Sequence, residues 1–596
     1  MLAANMYLGL RVGMTVSASI PAAVVSMAIL RGVLRRGTVL ENNIVQTMAS
    51  TGESLAAGVI FTVPALVLIG AWQDFRFWPT TLIAMLGGLL GVVLMVPLRR
   101  ALIVNRPDLP YPEGVACAHV LATGQRGGAG VRLIGFGLAA GAAVKFLVTG
   151  VHLLRGAIEA AWAVGRGIVY VGADVSPALL GVGYIVGIRV ASLVFLGGFM
   201  AWGVALPLMA RGGTETPIEQ AWSVWSAQVR YLGVGAMLVG GLHAVWSVRR
   251  GLVEGLALLR RGGGMSQGGG TGAGVTERIE RDLPFKTLAA LFAVVSGGMF
   301  LLYWSLTGTL PLALLTTAIM LLAGFVLVAV ATYIVGLVGS SNSPVSGMTI
   351  CALLVSASVF LLLGISGPGA ALGVLGVAGV VCCAVSTAGD IAQDLKTGHI
   401  VGATPAAQQW TQTVAVVVPA FIIAPVLTLL HKAYTIGSGN LLAPQAMLFA
   451  SLTRGLFGDG AVRWDMVIAG AGVGVGLLVL NTVIAWRGVA WRAHVMPVAV
   501  GMYLPFALAT TMLAGAMVRI WVDRRADRRD DTATHGPGVL FGSGLIAGEA
   551  LMGIALAVPA VLQFSFGDLG GNAMISFAAL AMLVGLFGVM TRRRLG

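Results

Sequence analysis

The segment GDIAQDLKTGHIVGATPAAQQ, residues 389–409, is polar in a chain that is otherwise strongly apolar. Only 10% of the 596 residues are charged, yet this segment holds two aspartates, a lysine, a histidine and three glutamines. Apolar runs flank it, and a run of about 20 residues crosses a hydrocarbon core about 30 Å thick. Polar, broken backbone is tolerated at membrane depth only where it is buried in protein or lines a wet cavity. The segment is therefore either the lining of a water-filled cavity or a solvated loop between two spans.

The spacing of the polar side chains favours a shared helical face. Asp390, Asp394 and Thr397 fall at i, i+4 and i+7, which places them on one side of a helix. Two carboxylates one turn apart repel each other, which invites a cation or a proton between them. Gly402 and Pro405 disfavour an uninterrupted helix, and Gly398 adds to this. The pathway residues predicted here are Asp390, Gln393, Asp394, Lys396, Gln408 and Gln409.

Composition independently predicts an all-α polytopic membrane protein of about 14 to 17 transmembrane helices. Hydrophobic residues make up 57% of the chain and the mean hydropathy is +0.92. The 85 glycines suit the close packing of transmembrane helices. The net charge of +14 lies mainly in short loops, where it indicates orientation in the lipid bilayer and not nucleic-acid binding. The four cysteines lack metal-ligand spacing, so we expect no metal site and no cofactor.

The polar segment resembles the signature of the oligopeptide transporter family, which includes the yellow stripe-like metal-chelate transporters. Four further stretches resemble motifs of this family: YLGLRVGMTVSASIP from Tyr7, LPYPEGVACAHVL from Leu109, NSPVSGMTI from Asn342 and GSGLIAGEAL from Gly542. The resemblance implies inward transport of oligopeptides, or of metal–peptide and metal–siderophore chelates, coupled to protons. In the family, the motif at Tyr7 follows a complete span, so we expect the first helix here to be truncated.

A second candidate site lies at the Pro110–Gly114 stretch. Two prolines around Tyr111 force extended backbone, and Gly114 allows a sharp entry into the short apolar segment that follows. A half-helix starting there would point its N–H groups at an anionic group inside the membrane. The alternative is an ordinary helix start with Glu113 in its favoured first turn. Tyr111 and Glu113 join the predicted pathway residues.

Three charged residues fall inside predicted spans. Lys145 and Arg189 are predicted buried charges, because a charge at the bilayer centre costs at least about 2.5–3.5 kcal/mol and is expected to face protein or water. Glu549 has no basic residue nearby in sequence. It is expected to take part in proton coupling; the alternative is a packing residue bonded to neighbouring backbone.

The chain shows a faint internal repeat with broken or re-entrant helices, and its two halves are either parallel or inverted. The predicted parts are an N-terminal transmembrane half at 1–249, a cytoplasmic Gly-rich basic linker at 250–286 and a C-terminal transmembrane half at 287–596. The matched positions are Pro112 with Pro444, Val182 with Val500, and Gly233 with Gly542, at intervals of 332, 318 and 309 residues. If the basic loops are all cytoplasmic, the halves are inverted.

The sequence contains no HExxH helix and no CxxC pair, and its one GxSxG pattern, GMSQG at 264–268, lies in the Gly-rich linker and not at the strand-to-helix turn of a nucleophile elbow. We therefore expect no enzyme but a secondary active transporter, a proton-coupled symporter of small oligopeptides in the plasma (inner) membrane. Uptake of metal chelates by the same mechanism is the alternative. From other classes, an integral-membrane enzyme and a passive channel remain open. Its partners would be the substrate, protons and lipid; homo-oligomerisation is left open.

Overall fold

The computed structural model describes most of the chain. The described residues are 1–13, 15, 19–27, 29–30, 34–35, 37–106, 109, 111–123, 129–165, 167–210, 216–247, 278–340, 343, 345–439, 441–458, 463–487, 493–524, 537–562, 564, 566–567 and 569–590. The Gly-rich part of the predicted linker, 250–277, lies outside them, as do Pro110, Asn342 and Pro344 of the family motifs.

The first half consists of helices and one hairpin. In order these are α1 (Leu2–Val12), α2 (Ser19–Met27), α3 (Val39–Leu68), α4 (Phe77–Arg99), α5 (Pro112–Thr123), α6 (Ala129–Lys145), β1 (Ala157–Val164), β2 (Gly167–Asp174), α7 (Pro177–Val186), α8 (Ile188–Gly198), α9 (Leu206–Met209), α10 (Pro217–Val224) and α11 (Arg230–Ser247). Four π-helical segments extend or join them: Arg100–Val104, Phe146–Gly150, Phe199–Ala205 and Trp225–Val229.

The second half is helical throughout its described residues. After a 3₁₀ turn at Arg278–Glu280 come α12 (Phe285–Thr307), α13 (Leu310–Val338), α14 (Val345–Leu362), α15 (Pro368–Val401), α16 (Pro405–Tyr434), α17 (Pro444–Phe457), α18 (Trp464–Trp486), α19 (Val495–Tyr503), α20 (Phe506–Asp523), α21 (Pro537–Val561) and α22 (Ala573–Met590).

Thirteen helices of the described residues are long and apolar enough to cross a membrane. The prediction of an all-α polytopic membrane protein is confirmed. The sequence prediction of 14 to 17 spans exceeds the thirteen found in the described residues. The reason is that apolar windows in the sequence also include helices such as α7 and α19, which are too short to cross a membrane alone. α3 and α15 form the centre, since 89% of the apolar window of each is buried in protein.

The two central helices pack against each other in opposite directions. Gly58 of α3 lies against Cys383 of α15, and a Cβ atom there would be 2.5 Å from the Cys383 backbone. Four residues earlier in α3, the Ser54 hydroxyl is 3.2 Å from that of Thr387, four residues later in α15. The N-terminal end of α3 therefore lies beside the C-terminal end of α15.

The polar segment is broken at one place only. α15 continues through Gly398 to Val401 and ends at Gly402, whose φ of +76° caps the helix. Pro405 then starts α16, where its missing N–H costs no hydrogen bond. The predicted interruption is present, but Gly398 does not contribute to it: this glycine stays helical and admits the Gln408 side chain, which would lie 2.0 Å from a Cβ atom there.

Contacts between glycines and backbone carbonyls relate the two halves. A Cβ atom at Gly183 in α7 would lie 1.9 Å from the carbonyl oxygen of Met512 in α20. One at Gly501 in α19 would lie 2.0 Å from that of Val194 in α8. Gly501 follows Gly183 by 318 residues, and the same interval separates their two partners. The contact of α7 with α20 is thus repeated between α8 and α19, as in two copies related by a twofold axis.

Both copies contain a broken helix and a proline-started short helix. The break between α7 and α8 is at Gly187, with φ +81°, and the break between α19 and α20 is at Pro505, again 318 residues later. The residues before α5 and α17, Tyr111 and Ala443, both have positive φ, +47° and +46°. α3 and α15 are each the second helix before the proline-started short helix of their half, so they correspond. Because these two helices run in opposite directions, the halves are inverted relative to each other.

The predicted buried charges have different outcomes. Lys145 is 8% exposed, with its ammonium 5.5 Å from the centre of the Tyr7 ring. The prediction for Arg189 is wrong, because its side chain is exposed. The break at Gly187 makes Arg189 the second residue of α8, at the end of a span and not within one.

The last residues of the predicted linker are held in place. Arg99 donates to Asp282 at 2.6 Å, Leu283 is buried, and α12 starts at Phe285. The described part of the 250–286 segment is therefore packed against the helices. Where the halves divide remains a prediction.

The hairpin of β1 and β2 has no counterpart in the sequence prediction. The strands are antiparallel, with Ala157 opposite Asp174. β2 packs against α20, and Thr511 of that helix donates to the Asp174 carbonyl at 2.8 Å. The hairpin thus brings Asp174 to the helix bundle.

Candidate functional site

A buried polar cluster forms where the start of α3 meets the end of α15. Asp394 is fully buried and accepts a hydrogen bond from the Gln46 amide at 2.5 Å and one from the Thr51 hydroxyl at 3.4 Å. Within α3, the Asn43 amide donates to Gln46 at 3.3 Å. Successive polar residues on one face of α3 therefore satisfy the carboxylate of α15. We call this group, with the residues added below, the acidic cluster.

Gln408 ties the start of α16 to both central helices. Its amide N–H₂ group lies 3.1 Å from the Asn43 side-chain oxygen, 3.2 Å from the Thr47 hydroxyl and 3.0 Å from the Asp394 carbonyl. Gly402 allows α16 to fold back on α15, which positions this amide. One residue further, Gln409 faces elsewhere: it binds the Leu283 N–H and Asp282, both at 2.8 Å. Gln409 therefore does not join the acidic cluster.

The start of α5 completes the cluster from the other side of α15. The Gly114 N–H donates to the Gln393 side-chain oxygen at 2.6 Å, and the Thr397 hydroxyl donates to the Gly114 carbonyl at 2.9 Å. The Gln393 amide in turn donates to Val335 at 3.0 Å. A short helix starts at Pro112 beside the polar segment, and its Gly114 N–H is already bonded to Gln393 in this conformation.

Glu113 and Asp390 meet at the turn after α13. The Ser340 hydroxyl donates to Glu113 at 2.6 Å, and both residues interact with Asp390. Within the described residues, no basic side chain forms an ion pair with Asp390 or Asp394. The cluster thus presents carboxyl groups that neutral donors satisfy, an arrangement that can accept a proton or an ammonium group.

Tyr111 and Lys396 lie next to each other at the edge of this cluster. Tyr111 is completely buried, and its hydroxyl donates to the Leu102 carbonyl at 3.1 Å. The Lys396 ammonium is 5.8 Å from the centre of the Tyr111 ring, a cation–π distance. Lys396 therefore faces the tyrosine and forms no ion pair with Asp394.

Glu549 lies in a second polar group, which is also buried. Its carboxylate accepts from the Arg11 guanidinium at 2.8 Å, the Ser176 hydroxyl at 2.7 Å and the Ala178 N–H at 2.8 Å. Arg11 also binds both oxygens of Asp174 at 3.0 Å. Burial raises the pKa of Asp174, and the charge of Arg11 opposes that rise. We call Arg11, Asp174, Ser176 and Glu549 the arginine cluster.

The two clusters lie towards opposite ends of α16. Gln408 is near its start, whereas the Tyr434 hydroxyl at its end donates to the Gly553 carbonyl, one turn from Glu549. A helix of 30 residues is about 45 Å long. The predicted pathway residues are therefore divided between two distant places: most join the acidic cluster, and Glu549 does not.

Comparison with known proteins identifies this architecture. Residues 1–560 match the family described as OPT oligopeptide transporter protein. The chain belongs to the OPT family. A putative oligopeptide transporter of Haemophilus influenzae is 35% identical, with 93% of this chain and 92% of that protein covered. The family and these relatives are transporters and not enzymes, so the sequence prediction on this point is confirmed.

More distant OPT relatives come from eukaryotes. A putative oligopeptide transporter of Saccharomyces cerevisiae is 25% identical over 64% of this chain and 57% of its own length. A probable metal-nicotianamine transporter of Oryza sativa is 24% identical over 65% of this chain and 56% of its own length. The resemblance to a family that includes yellow stripe-like proteins is thereby confirmed.

Several site residues of this OPT protein were not selected from its sequence. Asn43, Gln46 and Thr47 form a polar string at the start of an apolar run, a pattern that would have suggested a buried polar face. Arg11 lies within the motif at Tyr7 and could have been selected with it. Asp174 carries no such signal, because it lies in a hairpin that the sequence did not predict.

Proposed function

We propose that this OPT protein is a proton-coupled symporter that carries small oligopeptides across the plasma membrane. The acidic cluster is the observation that carries the proposal. It is buried between α3, α5, α15 and α16, and neutral donors hold Asp390 and Asp394, which form no ion pair with a basic side chain of the described residues. A buried carboxyl group without a counter-ion suits reversible proton loading, and intramembrane ionisable groups mark ion pathways.

Alternating access fits the inverted halves and their broken helices. In transporters with inverted repeats, substrate and ion sites lie at the repeat interface and are formed by discontinuous helices. Here α3 comes from one half and α15 from the other, and Asp394 with Gln46 joins them directly. Opening this contact would expose the cluster to water on one side of the membrane.

The polar groups of the cluster match the chemistry of a peptide. A peptide offers an ammonium group and backbone amides, which need carboxylates and side-chain amides as partners. Asp390, Asp394 and Glu113 supply the former, and Gln393 and Gln408 the latter. One turn after Gln408, the buried amide of Gln412 has neither its oxygen nor its nitrogen bonded to a described residue. This amide supports the proposal, since the backbone groups of a peptide need such a partner.

The relatives favour a peptide over a chelate. The bacterial relative with 35% identity is named for oligopeptide transport, whereas relatives named for metal-nicotianamine are at 23–29% identity over part of the chain. Uptake of metal chelates is the second candidate function. It has a physical basis as well, since a chelate of an amino-carboxylate ligand carries carboxylate groups, as a peptide does.

Uptake by the purified protein in liposomes tests the proposal. Labelled trialanine should accumulate inside when the outside is more acidic, and a protonophore should abolish this accumulation. Iron(II)–nicotianamine, tested in parallel, separates the two substrates. Equal accumulation with and without the protonophore would contradict proton coupling, and no uptake of either compound would contradict the proposed function.

A further inference from the structure

A hollow at the far end of α16 is separate from the acidic cluster. It consists of two adjacent cavities of about 280 and 390 Å³, sizes at the lower end of the range for ligand pockets. The two share Arg230, Gly437 and Ser438 as lining residues. The start of α11 and the loop between α16 and α17 therefore form its walls.

Two buried donors line this hollow without a partner. The Trp225 indole N–H and the Tyr503 hydroxyl have no hydrogen-bond partner among the described residues, although their side chains are only 3% and 1% exposed. The great majority of buried polar groups in proteins are hydrogen-bonded, so each exception calls for an explanation. Both donor atoms are closed to solvent in this conformation, so a ligand with acceptor atoms would satisfy them by entering the hollow and widening it.

The charged side chains that line the hollow indicate the charge of its ligand. Arg230 lines both cavities, is partly buried and forms no ion pair with a described acidic residue. Arg454 lines the larger cavity, and its guanidinium donates to the Leu68 carbonyl. Among the described residues that line the two cavities there is no aspartate and no glutamate. The hollow is therefore positively charged and rich in donors, which suits an anion.

Aromatic rings form one wall of the hollow. The rings of Trp222 and Trp225 are 5.4 Å apart and nearly perpendicular, and Tyr503 lies edge-on to Trp225 at 6.5 Å. Rigid rings hold the indole N–H and the phenol hydroxyl in fixed positions. The site is thus built around its donors before a ligand arrives.

We propose that Trp225, Arg230 and Tyr503 bind a carboxylate of the substrate, at a station separate from the acidic cluster. This inference rests on the proposed function and specifies its substrate class as a carboxylate-bearing ligand. The C-terminus of a peptide and the carboxylates of a metal chelate share this chemistry. A tripeptide spans at most about 11 Å, far less than the length of α16. One substrate therefore occupies the two places in turn, and the hollow is an entry or exit station.

Binding to the purified full-length protein tests this assignment, with calorimetry and tryptophan fluorescence as readouts. The probes are trialanine, its C-terminal amide and iron(II)–nicotianamine. Removing a hydrogen-bonded charge from a buried site weakens binding at least about tenfold. We expect wild-type protein to bind the amide at least about tenfold more weakly than trialanine. Arg230→Gln should weaken trialanine to the same extent and leave the amide unchanged. Arg487→Gln, which alters an exposed arginine, is the matched control.

A second variant separates binding from folding. Tyr503→Phe keeps the ring and removes a hydroxyl that no described residue bonds, so its thermal stability should equal or exceed that of wild type. Its affinity for trialanine should still fall about tenfold. A structural role for the hydroxyl would instead lower the melting temperature and leave the affinity unchanged, which would overturn the assignment.

The outcomes distinguish the station from the transport function. If Arg230→Gln loses affinity for trialanine alone, the site binds peptides. If it loses affinity for iron(II)–nicotianamine alone, the site binds chelates. Either result supports the station. Equal binding of trialanine and its amide, with both unchanged in Arg230→Gln, overturns it even if uptake into liposomes proceeds. Absence of wild-type uptake for both substrates overturns the proposed function itself.

Discussion

At the scale of single residues, partners that are remote in sequence place the buried polar groups. Arg11 and Glu549 are 538 residues apart and form one ion pair. The sequence could single out Glu549 as an acid in an apolar run, but a pair contact leaves no local pattern from which to find Arg11. Conversely, Arg189 looked buried by its apolar neighbours, whereas the break at Gly187 places it at a helix start.

Gly398 is the residue whose role differs most from its predicted one, and this can be tested. Gly398→Ala would place a Cβ atom on the Gln408 amide, which is buried and holds Asn43, Thr47 and the Asp394 carbonyl. Displacing that amide should lower the free energy of unfolding by about 1–3 kcal/mol and stop peptide uptake. Thermal unfolding and liposome uptake measure the two effects.

The control for this substitution is a helical glycine with free space around it. A Cβ atom at Gly297 in α12 meets nothing within 4 Å. Gly297→Ala should be neutral or stabilise the helix by up to about 1 kcal/mol. If Gly398→Ala behaves in the same way, Gly398 is not needed for the approach of Gln408.

At the scale of helices and strands, most of the predicted elements are present in the structure, but several end or break at residues that the sequence did not indicate. The break in the polar segment is at Gly402 because its positive φ ends α15, while Gly398 stays helical. α7 and α8 form one long apolar run in the sequence, yet the structure separates them with a complete break at Gly187. The hairpin of β1 and β2 was missed, because two short apolar strands have no distinctive pattern in a chain this apolar.

The reciprocal glycine contacts make a prediction about helix packing. Gly183→Ala and Gly501→Ala each place a Cβ atom about 2 Å from a backbone carbonyl, of Met512 and Val194 respectively. A backbone carbonyl within a packed helix moves little, so each change should destabilise the protein by about 1–3 kcal/mol. Because the contacts are equivalent, the two effects should be similar in thermal unfolding.

The comparison variant for this pair is Gly472→Ala. Gly472 is exposed in α18, and a Cβ atom there meets nothing within 4 Å. The melting temperature of the Gly472→Ala variant should therefore match that of the wild-type protein. A large effect at only one of Gly183 and Gly501 would show that the two contacts are not equivalent, against the twofold relation of the halves.

At the scale of the whole molecule, sequence alone reached the fold class, the family and the existence of a repeat. It could not show that the halves are inverted, because that follows from α3 and α15 packing in opposite directions. Nor could it show that the pathway residues divide between two clusters. Glu113, Asp390 and Asp394 come together at one end of α16, and Glu549 pairs with Arg11 towards the other.

The division assigns different roles to the two clusters. Asp390 and Asp394 have no basic partner among the described residues and are the proposed carriers of the coupled proton. Glu549 accepts hydrogen bonds from Arg11, Ser176 and Ala178. It remains the second candidate carrier of the coupled proton in our proposal, but its ion pair with Arg11 must break before it takes up a proton.

Simultaneous measurement of peptide and proton entry into liposomes tests the central claim most directly. Wild-type protein should carry protons inward with trialanine, and Asp394→Asn should reduce pH-driven uptake at least about tenfold while the protein remains folded. Asp74→Asn alters an exposed aspartate and should leave both the proton flux and the peptide flux unchanged. Glu549→Gln shows whether the arginine cluster also takes part in proton coupling. Wild-type proton and peptide entry in both Asp390→Asn and Asp394→Asn would contradict the account.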